Sequence, residues 1–150
     1  MAKYKTGKRN KTLIGILFVL VAILAIGMVT ALFRVDTQIH TKTLTTSNYE
    51  VGALDDGSGK EVEDKNSIRS KDSYNVEGLE IKVDEDAEVT YEVFFFDEDG
   101  DFLNSSVNSF SSIPEGADTF RIVITPTDEV EIGFFDIGDY AGLLTVTYNK

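Results

Sequence analysis

Acids and aromatic rings are the side chains in this sequence whose spacing could do chemistry. Asp97-Glu98-Asp99-Gly100-Asp101 puts three carboxylates at alternating positions, a hard-oxygen set of the kind Ca²⁺ takes. Counted from Asp97, the Gly and Glu that an EF-hand loop needs at its sixth and twelfth positions are Phe102 and Asn108, so that match fails. A solvated hairpin tip with no metal is expected, and Asp84-Glu85-Asp86 and Asp128-Glu129 read as turns of the same sort. A binding face comes from the strand period of two: with Val89, Tyr91, Val93 and Phe95 turned to a core, Glu92, Phe94 and Phe96 share the other side. An outward ring beside a carboxylate suits a saccharide, the ring for its C–H face and the acid for its hydroxyls. Loops covering both faces of a sandwich would account for the same rings. Arg121 and Tyr140 are further candidate ligand contacts. Nucleophilic catalysis has no support, because the chain holds no Cys and one His, His40, so no triad can be assembled. A lone His cannot make a zinc site either. The 26 acids form pairs by chance, and nothing selects a glycosidase dyad. The expectation is a binding protein, not an enzyme, with no cofactor.

The charge distribution sets where such a face would work. All five basic residues before position 12 precede the first acid, Asp36, and Thr12 to Phe33 is 22 residues without a charge. Residues 34–150 then carry nine basic and 26 acidic side chains, net −17, which would repel nucleic-acid phosphate. As a helix the uncharged stretch rises about 33 Å, the thickness of a hydrocarbon core, and it has no polar face on which to lie at a surface. The basic flank places the N-terminus in the cytoplasm. A cleaved signal peptide shares these features, and Val29-Thr30-Ala31 offers small residues for a peptidase, but an h-region runs about 7–15 residues. An uncleaved anchor is the reading adopted. A prepilin would need a Gly before the apolar run and a Glu five residues into it, and a lipobox would need a Cys; none is present. Gly27 and Ala31 form one small-xxx-small pair, which does not by itself predict a dimer.

The organisation that follows is a basic cytoplasmic tail over 1–11, a transmembrane helix over 12–33, a Thr-rich stalk or first strand over 34–48, and one exterior domain over 49–150. In that domain the hydrophobic period is two. Leu79, Ile81 and Val83 alternate with acids and Lys82; Val89 to Val93 alternates and then becomes apolar on both faces at Phe94-Phe95-Phe96. Phe120 to Thr125 and Leu144 to Asn149 repeat the pattern, the last expected to pair within a sheet. Shorter candidates are Tyr49 to Leu54, Ser67 to Ser70, Asp101 to Ser105 and Val130 to Phe135. Turns are expected at Asp55 to Gly59, Asp99-Gly100, Ile113 to Gly116 and Thr125 to Asp128, and a single helical turn over Ile137 to Ala141. About eight short strands so spaced predict an all-β fold, an antiparallel sandwich. Asn104-Ser105-Ser106 fits the glycosylation triplet, but an exterior domain without Cys argues against the secretory route in which it would matter.

Tyr49 to Leu54, Ser67-Ile68, Gly78 to Ile81, Tyr91 to Asp97 with Phe102-Leu103, and Ile113 to Ala117 leading into Phe120 to Pro126 together resemble small jelly-roll modules of Gram-positive bacteria and their phages, of the galactose-binding-like, carbohydrate-binding-module type. The resemblance spans Tyr49 to Lys150 and rests on strand and turn patterns, so it bears on fold more than on function. It implies a jelly roll anchored at the cell surface that binds carbohydrate or a cell-wall polymer. The absence of Trp departs from modules that stack a sugar on that ring. The alternative is a structural or interaction subunit of a surface assembly, with a protein partner reached through an open sheet edge.

Overall fold

The computed structural model describes residues 40–109 and 112–150. The expected tail, transmembrane helix and signal-peptide site lie outside the described residues, among which no helix is long and apolar enough to cross a membrane.

The alternating segments pair as their pattern requires, in antiparallel sheets that make an all-β fold. The main sheet is built on β8 (Val89–Phe96) and β10 (Thr119–Pro126), whose register sets Phe120 opposite Phe95, Ile122 opposite Val93 and Ile124 opposite Tyr91. β5 (Ile68–Ser70) and β2 (Tyr49–Val51) continue it on one side, and β9 (Phe102–Val107) closes the other; β6 (Tyr74–Asn75) also pairs with β10. A smaller sheet runs in the order β1 (Thr41–Thr43), β11 (Leu144–Asn149), β7 (Glu80–Val83). Part of the Thr-rich segment therefore supplies β1, and the expected last strand is the centre of its sheet. Leu144 and Val146 join Val93, Phe95, Phe120 and Ile122 in one buried cluster, so the two sheets share a core. Burying side chains of this size gains about 1.5–3 kcal/mol each, which is what holds the layers together in a domain with no disulfide.

The other face of the main sheet is covered as well. Gly52 has φ +142°, a conformation L side chains rarely adopt, and it ends β2; the chain turns back as β3 (Ala53–Leu54) and β4 (Glu61–Val62) across that face. The expected single strand Tyr49 to Leu54 is broken for this reason. A Cβ at Gly59 would stand 2.7 Å from the Phe96 ring and 2.8 Å from Phe102, so the hairpin lies down on the sheet only with glycine there. Beneath it Leu54, Phe94, Phe96 and Val123 form a second cluster, flanked by Ala53 and Phe102.

Val130 to Phe135 is not a strand. Val130 N–H donates to Asp128 O and Ile132 N–H to Lys65 O at 2.7 Å, and the chain then turns at Gly133 and enters the single-turn α1 (Ile137–Ala141). Its backbone is satisfied piecemeal by loops, so no ladder forms.

Candidate functional site

Glu92, Phe94, Phe96 and Arg121 do share one face: Arg121 is the register partner of Phe94, and Val123 that of Glu92. That face is closed to a ligand by the β3–β4 hairpin, which leaves Phe94 0% and Phe96 8% exposed. The expected ring platform is therefore core. Arg121, 9% exposed, is consumed by the same arrangement: its Nε and Nη2 donate to Ser70 O, and Nη1 lies 3.0 Å from Glu61 Oε1. Arg69 takes the second Glu61 oxygen at 3.0 Å, donates from Nε to Glu50 Oε1 at 2.9 Å, and from Nη1 to Ala53 O and Val62 O at 3.1 Å. Two guanidiniums thus clamp the hairpin to the sheet through one carboxylate, an arrangement the sequence reading missed. Glu92 is half-buried between Val123 and Val107. Tyr140 stands apart, half-buried on α1 against the main core. None of the five is among the residues that line the cleft described below.

At the acidic hairpin tip Asp97 Oδ1 accepts from Asp99 N–H at 3.0 Å and from Asp101 N–H at 2.9 Å, closing the turn in which Gly100 has φ +83°. That carboxylate serves the backbone. Among the described residues no three His, Cys, Asp or Glu side chains are grouped so as to hold a metal ion.

An open cleft of about 530 Å³ lies elsewhere, lined by Thr46, Ser47, Tyr49, Lys71, Phe134 and Phe135 with the start of α1. One wall is a 3₁₀ turn, Thr46–Asn48, shaped by Asn48 Oδ1, which accepts from Thr45 N–H at 2.8 Å and from Thr45 Oγ1 at 3.0 Å. The opposite wall is a second side-chain-tied turn. Gly133 N–H donates to Asp136 Oδ2 at 2.9 Å and Asp136 N–H to Gly133 O at 3.0 Å, which pushes the two residues between them outward. Phe134 is 79% and Phe135 92% exposed, with ring centroids 5.6 Å apart and planes at 83°. Two large rings left in water beside a concavity of this size are what a ligand site offers. Lys71, which follows β5, lies along the 3₁₀-turn wall, its Nζ donating to Ser47 O at 2.9 Å. The signal was present in Gly133-Phe134-Phe135-Asp136: neighbouring residues on a strand point to opposite faces, so two adjacent rings between turn formers need not be a strand.

Tyr49, 2% exposed, borders the cleft, and its hydroxyl is buried with no hydrogen-bond partner among the described residues. Burial, reinforced by neighbouring Tyr74, pushes its phenol well above the ordinary value, and burial moves Tyr74 and Tyr91 in the same direction. A phenol whose folded pKa is raised holds its proton longer in the native state, so its stabilisation is complete below about pH 10 and is lost as pH rises further. Unfolding free energy of the full chain should fall above pH 10 by up to about 1.4 kcal/mol per pH unit for each such phenol. Tyr49→Phe should flatten that fall while leaving stability at pH 7 unchanged or higher, since it removes an unpaired buried group. An alkaline limb of unchanged slope in urea titrations of Tyr49→Phe would show that Tyr49 titrates normally.

No protein-family model, curated protein or solved structure matches this chain.

Proposed function

We propose that the protein is a membrane-anchored cell-surface binding module of jelly-roll type whose ligand is a carbohydrate or cell-wall polymer, bound without catalysis in the cleft beside Phe134 and Phe135. The exposed ring pair carries this reading: such rings offer apolar faces to a sugar's C–H surface, and Thr46 and Ser47, which also line the cleft, bring hydroxyls suited to its oxygens. They take the place of the missing Trp. Crossings of the chain between the two sheets at β1–β2, β6–β7, β7–β8 and β10–β11 support the jelly-roll type. The uncharged stretch over 12–33 and its basic flank support the anchor, with the N-terminus cytoplasmic and the domain outside.

The experiment is done on intact cells displaying the full chain. A Cys placed at Asp56, the only thiol present, should take up an impermeant maleimide, and one at Lys5 should not; labelling at Lys5 reverses the orientation. A fluorescent glycan panel should be retained by these cells and lost with Phe134→Ala or Phe135→Ala. Both substitutions should change stability by no more than about 0.5 kcal/mol, as exposed positions do.

One observation favours the interaction-subunit reading instead. β9 is an edge strand of six residues with no charge and no Pro, and Leu103 and Val107 are 39% and 55% exposed. Edges of that kind pair with other strands. If no glycan is retained and Ser105→Pro, which removes an edge donor, abolishes a cell-surface assembly of the chain, this second reading replaces the first.

A further inference from the structure

We infer that the ligand of the Phe134–Phe135 cleft is an anionic saccharide, its carboxylate or phosphate taken by Lys71; this rests on the carbohydrate reading above. Lys71 is the only lining side chain that is charged at neutral pH. Lys71, like Lys42, Lys60 and Lys150, has no carboxylate within 4.0 Å among the described residues, and of these four it alone is among the residues lining the cleft. Its one recorded side-chain bond is to Ser47 O, so the ammonium, a three-donor group, keeps two donors for a ligand. That bond also fixes where the charge stands: Lys71 N–H donates to Asn48 O at 2.9 Å and Nζ to Ser47 O at 2.9 Å, which ties both ends of the residue to the cleft wall facing the rings.

No acid lines the cleft. Asp136, the nearest in sequence to the rings, has Oδ2 engaged by Gly133 N–H. A cationic ligand would meet Lys71 with no counter-charge, and a neutral one would leave the ammonium unused. The net negative charge of the domain repels an anion only over distances that physiological salt screens, about 8 Å, so recognition by contact at Lys71 is compatible with it. The shared chemistry is a sugar ring bearing an anionic group, from uronate residues or from phosphate on a wall polymer.

The test uses the full chain in a non-ionic detergent free of sugar, on an array pairing uronate oligosaccharides with their methyl esters, phosphorylated with unphosphorylated glycans, and including poly(glycerol phosphate). Acidic members should bind at least tenfold more tightly than their neutral isosteres. Lys71→Gln should erase that ratio and keep the neutral affinity, whereas Phe134→Ala should weaken both. Equal binding of acid and ester, or a ratio that survives Lys71→Gln, overturns the anionic assignment and leaves the carbohydrate reading standing. Retention of poly(glycerol phosphate) that needs Lys71 but neither ring overturns the sugar part. Silence across the whole array takes down the underlying reading together with the inference.

Discussion

Phe94→Ala and Phe95→Ala should each lower the unfolding free energy by about 3–5 kcal/mol, although the two rings point to opposite sides of one strand. Phe95 is 1% exposed within the cluster shared by the two sheets, and Phe94 is 0% exposed under the β3–β4 hairpin. Truncation removes the transfer energy of the ring and leaves a cavity whose cost depends on how far the surroundings collapse. The inter-sheet core is walled by long strands and cannot close. The hairpin is made of two-residue strands and can settle, which puts Phe94→Ala at the lower end of the range. The rings contact separate clusters but share one strand, so any departure of the double substitution from additivity measures coupling through the β8 backbone. Urea denaturation of the full chain gives all three values. A loss below about 1 kcal/mol for Phe94→Ala would mean that the hairpin stands off the sheet in solution, and would return Phe94 and Phe96 to consideration as a ligand platform.

This outcome also marks where sequence reading stops. A period of two assigns side chains to faces, and it did so correctly for β8: Tyr91, Val93 and Phe95 enter the main core, while Phe94, Phe96 and Arg121 lie together on the reverse. It does not say what covers a face. The cover here is two strands of two residues each, too short to show alternation, and they exist because Gly52 and Glu61 let the chain fold back and be held. Leu54 reads as the end of a single strand Tyr49 to Leu54, and nothing in its spacing shows that the chain folds back before it. Arg121 read as an outward cation because its partners, Glu61 and the carbonyls of Ser70 and Lys71, come from segments remote in sequence. The cleft escaped for another reason. Val130 to Phe135 has strand-like composition, which outweighed the local signal of the Gly133–Asp136 turn that exposes both rings.

Arg69→Ala should be strongly damaging, at about 2–4 kcal/mol. The ion pairs alone would not reach this. Glu50 and Glu61 side chains are 39% and 50% exposed, and pairs of that kind are worth about 0–1 kcal/mol. The difference comes from Arg69 itself, whose side chain is 13% exposed, and from the carbonyls of Ala53 and Val62 that it satisfies. Each acceptor left unpaired at a buried site costs about 1–3 kcal/mol, less where water can enter. Gly52 shows how closely the guanidinium fits, since a Cβ there would lie 2.9 Å from Nη1. Lysine cannot reproduce the fork, so Arg69→Lys should recover less than half of the loss. Glu61→Gln keeps an acceptor for one guanidinium and turns a donor amide toward the other, so it should cost about 1–3 kcal/mol. Since Arg69 and Leu54 hold the same hairpin, Arg69→Ala and Leu54→Ala should be less than additive, and the Asp55 amide, bonded to Lys60 O across the hairpin, should exchange faster in Arg69→Ala at pH 7 while that of Val146, in the opposite sheet, stays protected. An Arg69→Ala loss within 0.5 kcal/mol, or equal acceleration at both amides, would show that the clamp does not secure the hairpin and that the apolar contacts of Leu54 with Phe94 and Phe96 hold it unaided.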